Sequence, residues 1–281
     1  MKIAIIGCGF VGNALINGLN ADVTTLKIDP KFGTDIQNLS AFKPDAIFIC
    51  VPTPMSSSSD QDLSILNSVI FDLQKISVDC LVIIKSTVLP NHIDKYKNKF
   101  REFVYNPEFL TERNANSDFI NAELILFGGE DLSVSKLSDI YGEYTKCKNK
   151  NYFKTDVITA SLIKYSINSF LATKVIFFNE LFNVFKKSNS NEAWKNIIEI
   201  MKQDSRIGNS HMDVPGPDGR FGYGGACFPK DTHALLNYAE AHDVELNLLK
   251  TAINVNNNIR SEYNKLTLRE KSQNVKFKGE D

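Results

Sequence analysis

No stretch of the 281-residue chain approaches the ~20 consecutive apolar residues that span a bilayer. The "IAII" after Met1-Lys2 is too short for a signal peptide. There is no lysine or arginine run. Its 32 basic and 33 acidic residues leave a net charge of -1, which excludes a general nucleic-acid surface. There is no CxxC pair. The five cysteines, Cys8, Cys50, Cys80, Cys147 and Cys227, are odd in number and widely spread, a pattern of reduced thiols that fits neither a disulfide framework nor a zinc site. No internal repeat is found, and nothing of low complexity beyond four serines at 56–59. These absences predict a soluble cytoplasmic protein with no metal, no membrane and no nucleic-acid partner. What is present, 43% hydrophobic and 23% charged residues, suits an ordinary globular chain of about two domains.

The amino terminus reads as strand, tight turn, helix, strand. "KIAIIG" is a continuous apolar strand of the kind buried on both faces of a parallel sheet. "GCGFVG" follows, Gly7 through Phe10 and Val11 to Gly12, with Gly7, Gly9 and Gly12 at the dinucleotide spacing. Such glycines allow a tight turn and close approach of backbone to pyrophosphate, at the amino terminus of the helix. "VTTLKID" is the next strand and ends in Asp29, placed to accept from a ribose 2′-hydroxyl and to repel a 2′-phosphate, so NAD is favoured over NADP.

Three further strands end in polar residues: "DAIFICVPTPM" at Thr53, "CLVIIKSTVLP" at Lys85, Ser86 and Thr87, and "FVYNPEFLTER" at Glu108 and Glu112. Open α/β sheets bind ligands at the carboxyl ends of their strands, and these ends predict a shared crevice. "SSSSDQD" reads as a plain polar linker. From Asp156 to Lys187 the chain has no Gly or Pro and is apolar on nearly all sides, which predicts one long helix buried between domains or against a second subunit. Lys164 and Asn168 lie one turn apart on it, and a lysine there needs a partner or a cleft. "NEAWKNIIEIMKQDSRIG" predicts a shorter amphipathic helix with Arg206 in its last turn. "GYGGACFPKD" then sets Cys227 among glycines, where backbone can approach a ligand, with Lys230 able to lower a thiol's pKa and Asp231 able to hold a water. The fold class expected is α/β: a Rossmann-like, mostly parallel sheet over residues 1–154, followed over 155–281 by an all-α central, dimerisation domain with one long helix.

"GCGFVG", "VPTPM", "KSTV", "NPEFLTE", "LIKYSINSFLATKVIFFNE", "DSRIG" and "GYGGACFPKD" resemble, in order, the motifs of the nucleotide-sugar dehydrogenases, and within them those acting on UDP-glucose. The resemblance implies an NAD-dependent double oxidation of the C6 alcohol of UDP-glucose to a carboxylate, through a Cys227 thiohemiacetal and thioester. It implies that Lys164 and Asn168 stabilise the oxyanion, that Asp231 and Thr87 position water or the proton acceptor, and that Glu108 is the base. Val51, Thr53, Ser86, Glu112 and Lys230 would line NAD. Phe109, Leu110, Thr111, Phe221, Tyr223, Gly224 and Gly225 would line the sugar nucleotide, and Arg206 would reach the site of a neighbouring subunit in a homodimer. Two departures are noted. Such enzymes continue into a third domain, whose first strand the ending "NVKFKGED" faintly resembles, and the Asp29–Asp45 stretch is shorter than theirs. Alternatives left open are another nucleotide sugar such as GDP-mannose, a two-electron hydroxyacid dehydrogenase, and an inactive NAD-binding or dimerisation subunit.

Overall fold

A computed structural model describes residues 1–263 and 265–277, so the close of "NVKFKGED", from 278 on, lies outside the described residues. By its contacts the chain forms two units: residues 1–53 with 62–164, and residues 54–61 with those from 165 onward.

The first unit is built on seven strands, β1 Lys2–Ile6, β2 Thr24–Ile28, β3 Ala46–Ile49, β4 Leu81–Ile84, β5 Phe103–Tyr105, β6 Leu126–Gly129 and β7 Phe153–Thr155. They lie in one sheet in the order β2-β1-β3-β4-β5-β6-β7. Neighbours are parallel except β5 and β6, which run antiparallel. Ile5 stands opposite Lys27 on one side and Phe48 on the other. The uninterrupted apolar strands follow from burial on both faces, because alternate side chains enter different cores. Ala4, Ile6, Ile47, Ile49, Val82 and Ile84 pack on one face, and Ile3, Ile5, Ala46, Phe48, Leu81 and Ile83 on the other.

Six helices complete the unit: α1 Phe10–Gly18, α2 Asn38–Phe42, α3 Ser64–Lys75, α4 Pro90–Lys97, α5 Ala115–Ile120 and α6 Asp131–Tyr144. The short Asp29–Asp45 connection holds only a 3₁₀ turn at Pro30–Phe32 and the five-residue α2.

Helix α7, Val157–Lys187, carries the chain from the first unit to the second. Its first two turns belong with the sheet. Ala160 sits in that core, Ser161 donates its Oγ to the Val88 carbonyl at 2.6 Å, and a Cβ on Gly128 would stand 2.7 Å from that of Ala160. The contact division therefore falls at 164/165, inside the helix and past the step at 154/155 expected from composition.

The second unit comprises the rest of α7, then α8 Trp194–Met201, α9 Phe228–Glu240, α10 Asn247–Ser261 and α11 Leu268–Ser272. One expectation is corrected here. Residues 54–61 are not a plain linker. Met55 bridges Gln61, Ser56 N–H reaches the Asp60 carbonyl at 2.7 Å, and Met55 N–H reaches the Gln273 carbonyl at 3.0 Å, so the serines form a pinned hairpin. Helix α7 is not buried all round within the chain. Phe170, Phe177 and Val184 are 67%, 56% and 65% exposed, because they recur every seventh residue as one outward stripe.

Among the described residues no helix is long and apolar enough to cross a membrane.

Candidate active site

In the first unit the polar residues gather where β1, β3, β4 and β5 end. Gly7 takes a φ of +87°, and a Cβ there would meet the Cys50 carbonyl carbon at 2.8 Å, so only glycine fits the turn. Gly12 lies buried against the same turn. A Cβ on Gly9 would meet nothing within 4 Å, and Gly9 begins α1 without a side-chain cap. A helix start without a side-chain cap is a place where backbone N–H groups and the helix dipole can face an anion. Asp29 closes the cradle. Its Oδ2 accepts from Cys8 N–H at 2.7 Å and its Oδ1 from Lys31 N–H at 3.1 Å, while Lys31 Nζ reaches the Cys8 carbonyl. The open glycine face, the uncapped helix start and the acid together fit a dinucleotide.

Val51, Thr53, Ser86 and Thr87 interlock across β3 and β4. Thr53 Oγ1 donates to the Thr87 carbonyl at 2.9 Å, and Ser86 Oγ to the Val51 carbonyl at 2.6 Å. Beyond β5, Glu108 is buried with Oε2 accepting from Leu110 N–H at 2.6 Å and Oε1 lying 3.8 Å from Lys164 Nζ. Lys164, only 3% exposed, also stands 5.2 Å over the ring of Phe109. The buried lysine thus has both a carboxylate and an aromatic face as partners and does not snorkel to the surface. Thr111 gives both its N–H and its Oγ1 to Asp118. Glu112 is exposed in a 3₁₀ turn, Glu112–Asn114.

The structure adds two residues that reading the sequence missed, Asn106 and Tyr141, and joins them to Lys85 of the Lys85-Ser86-Thr87 strand end. Lys85, inside "KSTV", is buried and donates to Asn106 Oδ1 at 2.8 Å and to Tyr141 Oη at 3.3 Å. Tyr141 Oη donates to the same Asn106 oxygen at 2.6 Å. Burial pushes the Lys85 ammonium below the ordinary lysine range and the Tyr141 phenol well above its own. The knot holds Asn106 just ahead of Glu108 and borders a 340 Å³ cavity lined by Glu108, Phe109 and Leu110. Its one sequence signal is a lysine closing a wholly apolar strand.

In the second unit Cys227 is the residue from which α9 starts, with Pro229 in the first turn, and Asp231 N–H makes that helix's early bond to the Cys227 carbonyl at 2.9 Å. Asp231 is 1% exposed. Its Oδ2 accepts from Asn168 Nδ2 at 2.6 Å and its Oδ1 from Lys230 Nζ at 2.5 Å. Asn168, Lys230, Asp231 and the base of the cysteine are therefore one cluster. Lys230, expected beside NAD, is engaged by the neighbouring carboxylate.

The loop before the cysteine is held through its backbone. The N–H of Phe221 goes to Tyr263 Oη at 2.8 Å, that of Gly222 to Asn179 Oδ1 at 2.9 Å, and that of Tyr223 to Asn256 Oδ1 at 2.7 Å. The N–H of Gly225 goes to Glu270 Oε1 at 3.3 Å. These four donors are occupied within the unit, so Phe221 and Tyr223 have side chains and carbonyls, and Gly225 its carbonyl, to offer a ligand more than N–H groups. Arg206 corrects a further expectation. Helix α8 ends at Met201, and Arg206 lies beyond it, 87% exposed at its side chain and chelated by Asp204 in a turn that Gly208 closes at φ +73°.

A dinucleotide cradle on a parallel sheet, joined to a helical unit with a cysteine at a helix start, defines the class: a two-unit nicotinamide-dinucleotide protein. The comparisons narrow it. The chain matches the NAD binding domain of the UDP-glucose/GDP-mannose dehydrogenase family over residues 28–145 and the central domain of that family over residues 158–258. It is 33% identical over 297 residues to the UDP-glucose 6-dehydrogenase of Rickettsia bellii, covering 91% of this chain and 67% of that protein. It is 38% identical over 231 residues to the Rickettsia conorii enzyme of the same name, covering 79% of this chain and 51% of that protein. A solved UDP-glucose dehydrogenase from Pyrobaculum islandicum superposes with a TM-score of 0.71 at 25% identity, over 91% of this chain and 67% of that one. The chain belongs to the UDP-glucose/GDP-mannose dehydrogenase family, and its cofactor is NAD. It spans about half the length of the first relatives it matches.

Proposed function

We propose that this chain oxidises the C6 alcohol of UDP-glucose to the carboxylate, with Cys227 as covalent nucleophile. The observation that carries the reading is the cluster at the start of α9, where Asp231 is held by Asn168 and Lys230 one turn from the cysteine. A single oxidation of an alcohol needs no thiol. For a second oxidation a thiol holds the aldehyde as a C–S adduct until it can be oxidised again.

NAD, when bound, supplies the hydride acceptor for both oxidations. Cys227 Sγ adds to the aldehyde carbon at the amino end of α9, where aligned peptide dipoles favour negative charge. Lys164 and Asn168 donate to the oxygen that becomes anionic. Asp231 and Thr87 orient the proton acceptor and the water. Glu108, fixed by the Leu110 N–H and Lys164, takes a proton from the water that attacks the thioester, releasing the carboxylate and returning the thiol. Val51, Thr53, Ser86, Glu112 and Lys230 serve the cofactor. Phe109, Leu110, Thr111, Phe221, Tyr223, Gly224 and Gly225 serve the sugar nucleotide.

The working form is a homodimer. The apolar stripe of Phe170, Phe177 and Val184 needs a cover, and Arg206, exposed though paired with Asp204, would exchange that carboxylate for the substrate of a neighbouring subunit. Five free cysteines suit a reducing cytoplasm.

The test is NADH formed per sugar consumed with UDP-glucose and NAD, beside Cys227→Ser. Two NADH per sugar, with UDP-glucuronate formed and turnover lost in the variant, is expected. NAD binding without NADH would sink the enzyme reading, and turnover of GDP-mannose in its place would move the substrate assignment.

A further inference from the structure

The mechanism leaves unused a buried ionic group in the second unit. Glu270, 0% exposed, and Arg260, 3% exposed, lie 3.8 Å apart, and neither belongs to any motif singled out in the sequence. Arg260 donates to Asp218 Oδ2 at 2.6 Å and to the Gly222 carbonyl at 2.9 Å. Glu270 Oε1 accepts from Gly225 N–H, and Oε2 from Thr267 N–H at 2.6 Å. A Cβ on Gly224 would stand 2.8 Å from Arg260 Nη1, so the loop backbone lies directly on this pair.

The carboxylate is delivered by a built device. Thr267 Oγ1 accepts from Glu270 N–H while the Glu270 side chain returns to Thr267 N–H, the reciprocal box that starts α11. Val275 and Phe277 are buried behind it, the latter ring 6.0 Å from the Arg260 guanidinium. Burying charges is costly, and a segment held only for stability would gain as much from apolar packing. Here the charges end on the backbone two residues before the cysteine.

We propose that Thr267–Phe277 is a clasp that sets the Cys227 loop, with Glu270 as a positioning residue acting through Gly225 N–H and Arg260. The clasp itself is a structural proposition. Its effect on turnover rests on Cys227 being the nucleophile.

The experiment compares the full chain with Glu270→Ala and Glu270→Gln by amide hydrogen exchange, alkylation of Cys227 mapped by mass spectrometry, and kinetics. In Glu270→Ala, exchange over 222–225 rises about tenfold or more. Alkylation of Cys227 changes with it, and kcat falls about tenfold to a hundredfold while the KM for NAD holds within about twofold. Glu270→Gln keeps an acceptor for Gly225 N–H and lies between. Loss of stability with loop exchange and Cys227 alkylation unchanged would overturn the clasp. Should Glu270→Ala fail to fold, Thr267→Ala loosens only the box: faster exchange in both α11 and 222–225 supports the clasp, and faster exchange in α11 alone refutes it. If the parent protein does not turn over UDP-glucose, the functional reading fails, while exchange and alkylation still decide the clasp.

Discussion

Asn168 Nδ2 stands 2.6 Å from Asp231 Oδ2, joining the middle of α7 to the first turn of α9 through one buried hydrogen bond. Removing the acceptor leaves the amide and the Lys230 ammonium without their carboxylate. Asp231→Ala is expected to cost about 3–5 kcal/mol, as for one partner lost from a buried ion pair. Asp231→Asn, which keeps an acceptor, costs less. Urea unfolding measures both.

Glu108→Gln keeps an oxygen for the Leu110 N–H and so preserves the loop, but removes the carboxylate proposed as the base. Hydrolysis of the acyl-enzyme is expected to slow by about 10²–10⁴-fold. The sign of it is an adduct on Cys227, seen by intact mass after mixing with UDP-glucose and NAD and absent in Cys227→Ser. Loss of turnover without any adduct would place Glu108 in an earlier step.

Phe177→Glu puts a charge in the exposed stripe of α7 while leaving the fold of the single chain untouched. Each phenylalanine contributes about 1.5–3 kcal/mol when covered. Across a twofold axis the loss is about 3–6 kcal/mol, or about 10²–10⁴ in dissociation constant. Light scattering after size exclusion is expected to show dimer for the parent and monomer for the variant.

Cys50 sets a pH dependence. Burial first, then the nearby thiol of Cys8 and carboxylate of Glu108, push its thiol from 9.0 up to about 12, against an opposing pull from Lys85. Between these values the unfolded chain has lost a proton that the folded chain retains. Stability therefore falls as pH rises, by up to about 1.4 kcal/mol per pH unit for this group. Cys50→Ala is expected to flatten the alkaline limb by that slope, whatever its effect on stability at neutral pH. Unfolding series at successive alkaline pH values give the slope directly.

The parallel sheet and its cradle were legible because short apolar strands and a glycine turn are local signals. "IAII" and "AIFI" announce burial on two faces, and only glycine suits the turn at Gly7. The polar strand ends were legible for the same reason. The Lys85 knot was not, since its partners Asn106 and Tyr141 come from β5 and α6, and no local pattern announces a three-way meeting. Nor were Asn179, Asn256 and Glu270, ordinary residues of helical segments until a distant loop is laid across them. Arg206 was misplaced because helix propensity runs on through "MKQDSR", whereas the Asp204 carboxylate, competing for the backbone and side chain of Arg206, ends the helical course. The serine hairpin was missed because its bonds to Gln273 and Asn237 are long-range.

The N–H groups of Phe221, Gly222, Tyr223 and Gly225 each have a separate owner, drawn in turn from the turn after α10, α7, α10 and α11. Adding or deleting one residue there would put every later donor out of step with its acceptor, at the cost of several unsatisfied buried groups at once. Over descent, this loop is expected to change its letters but not its length, while the hairpin at 56–59, pinned only at its ends, is where insertions accumulate.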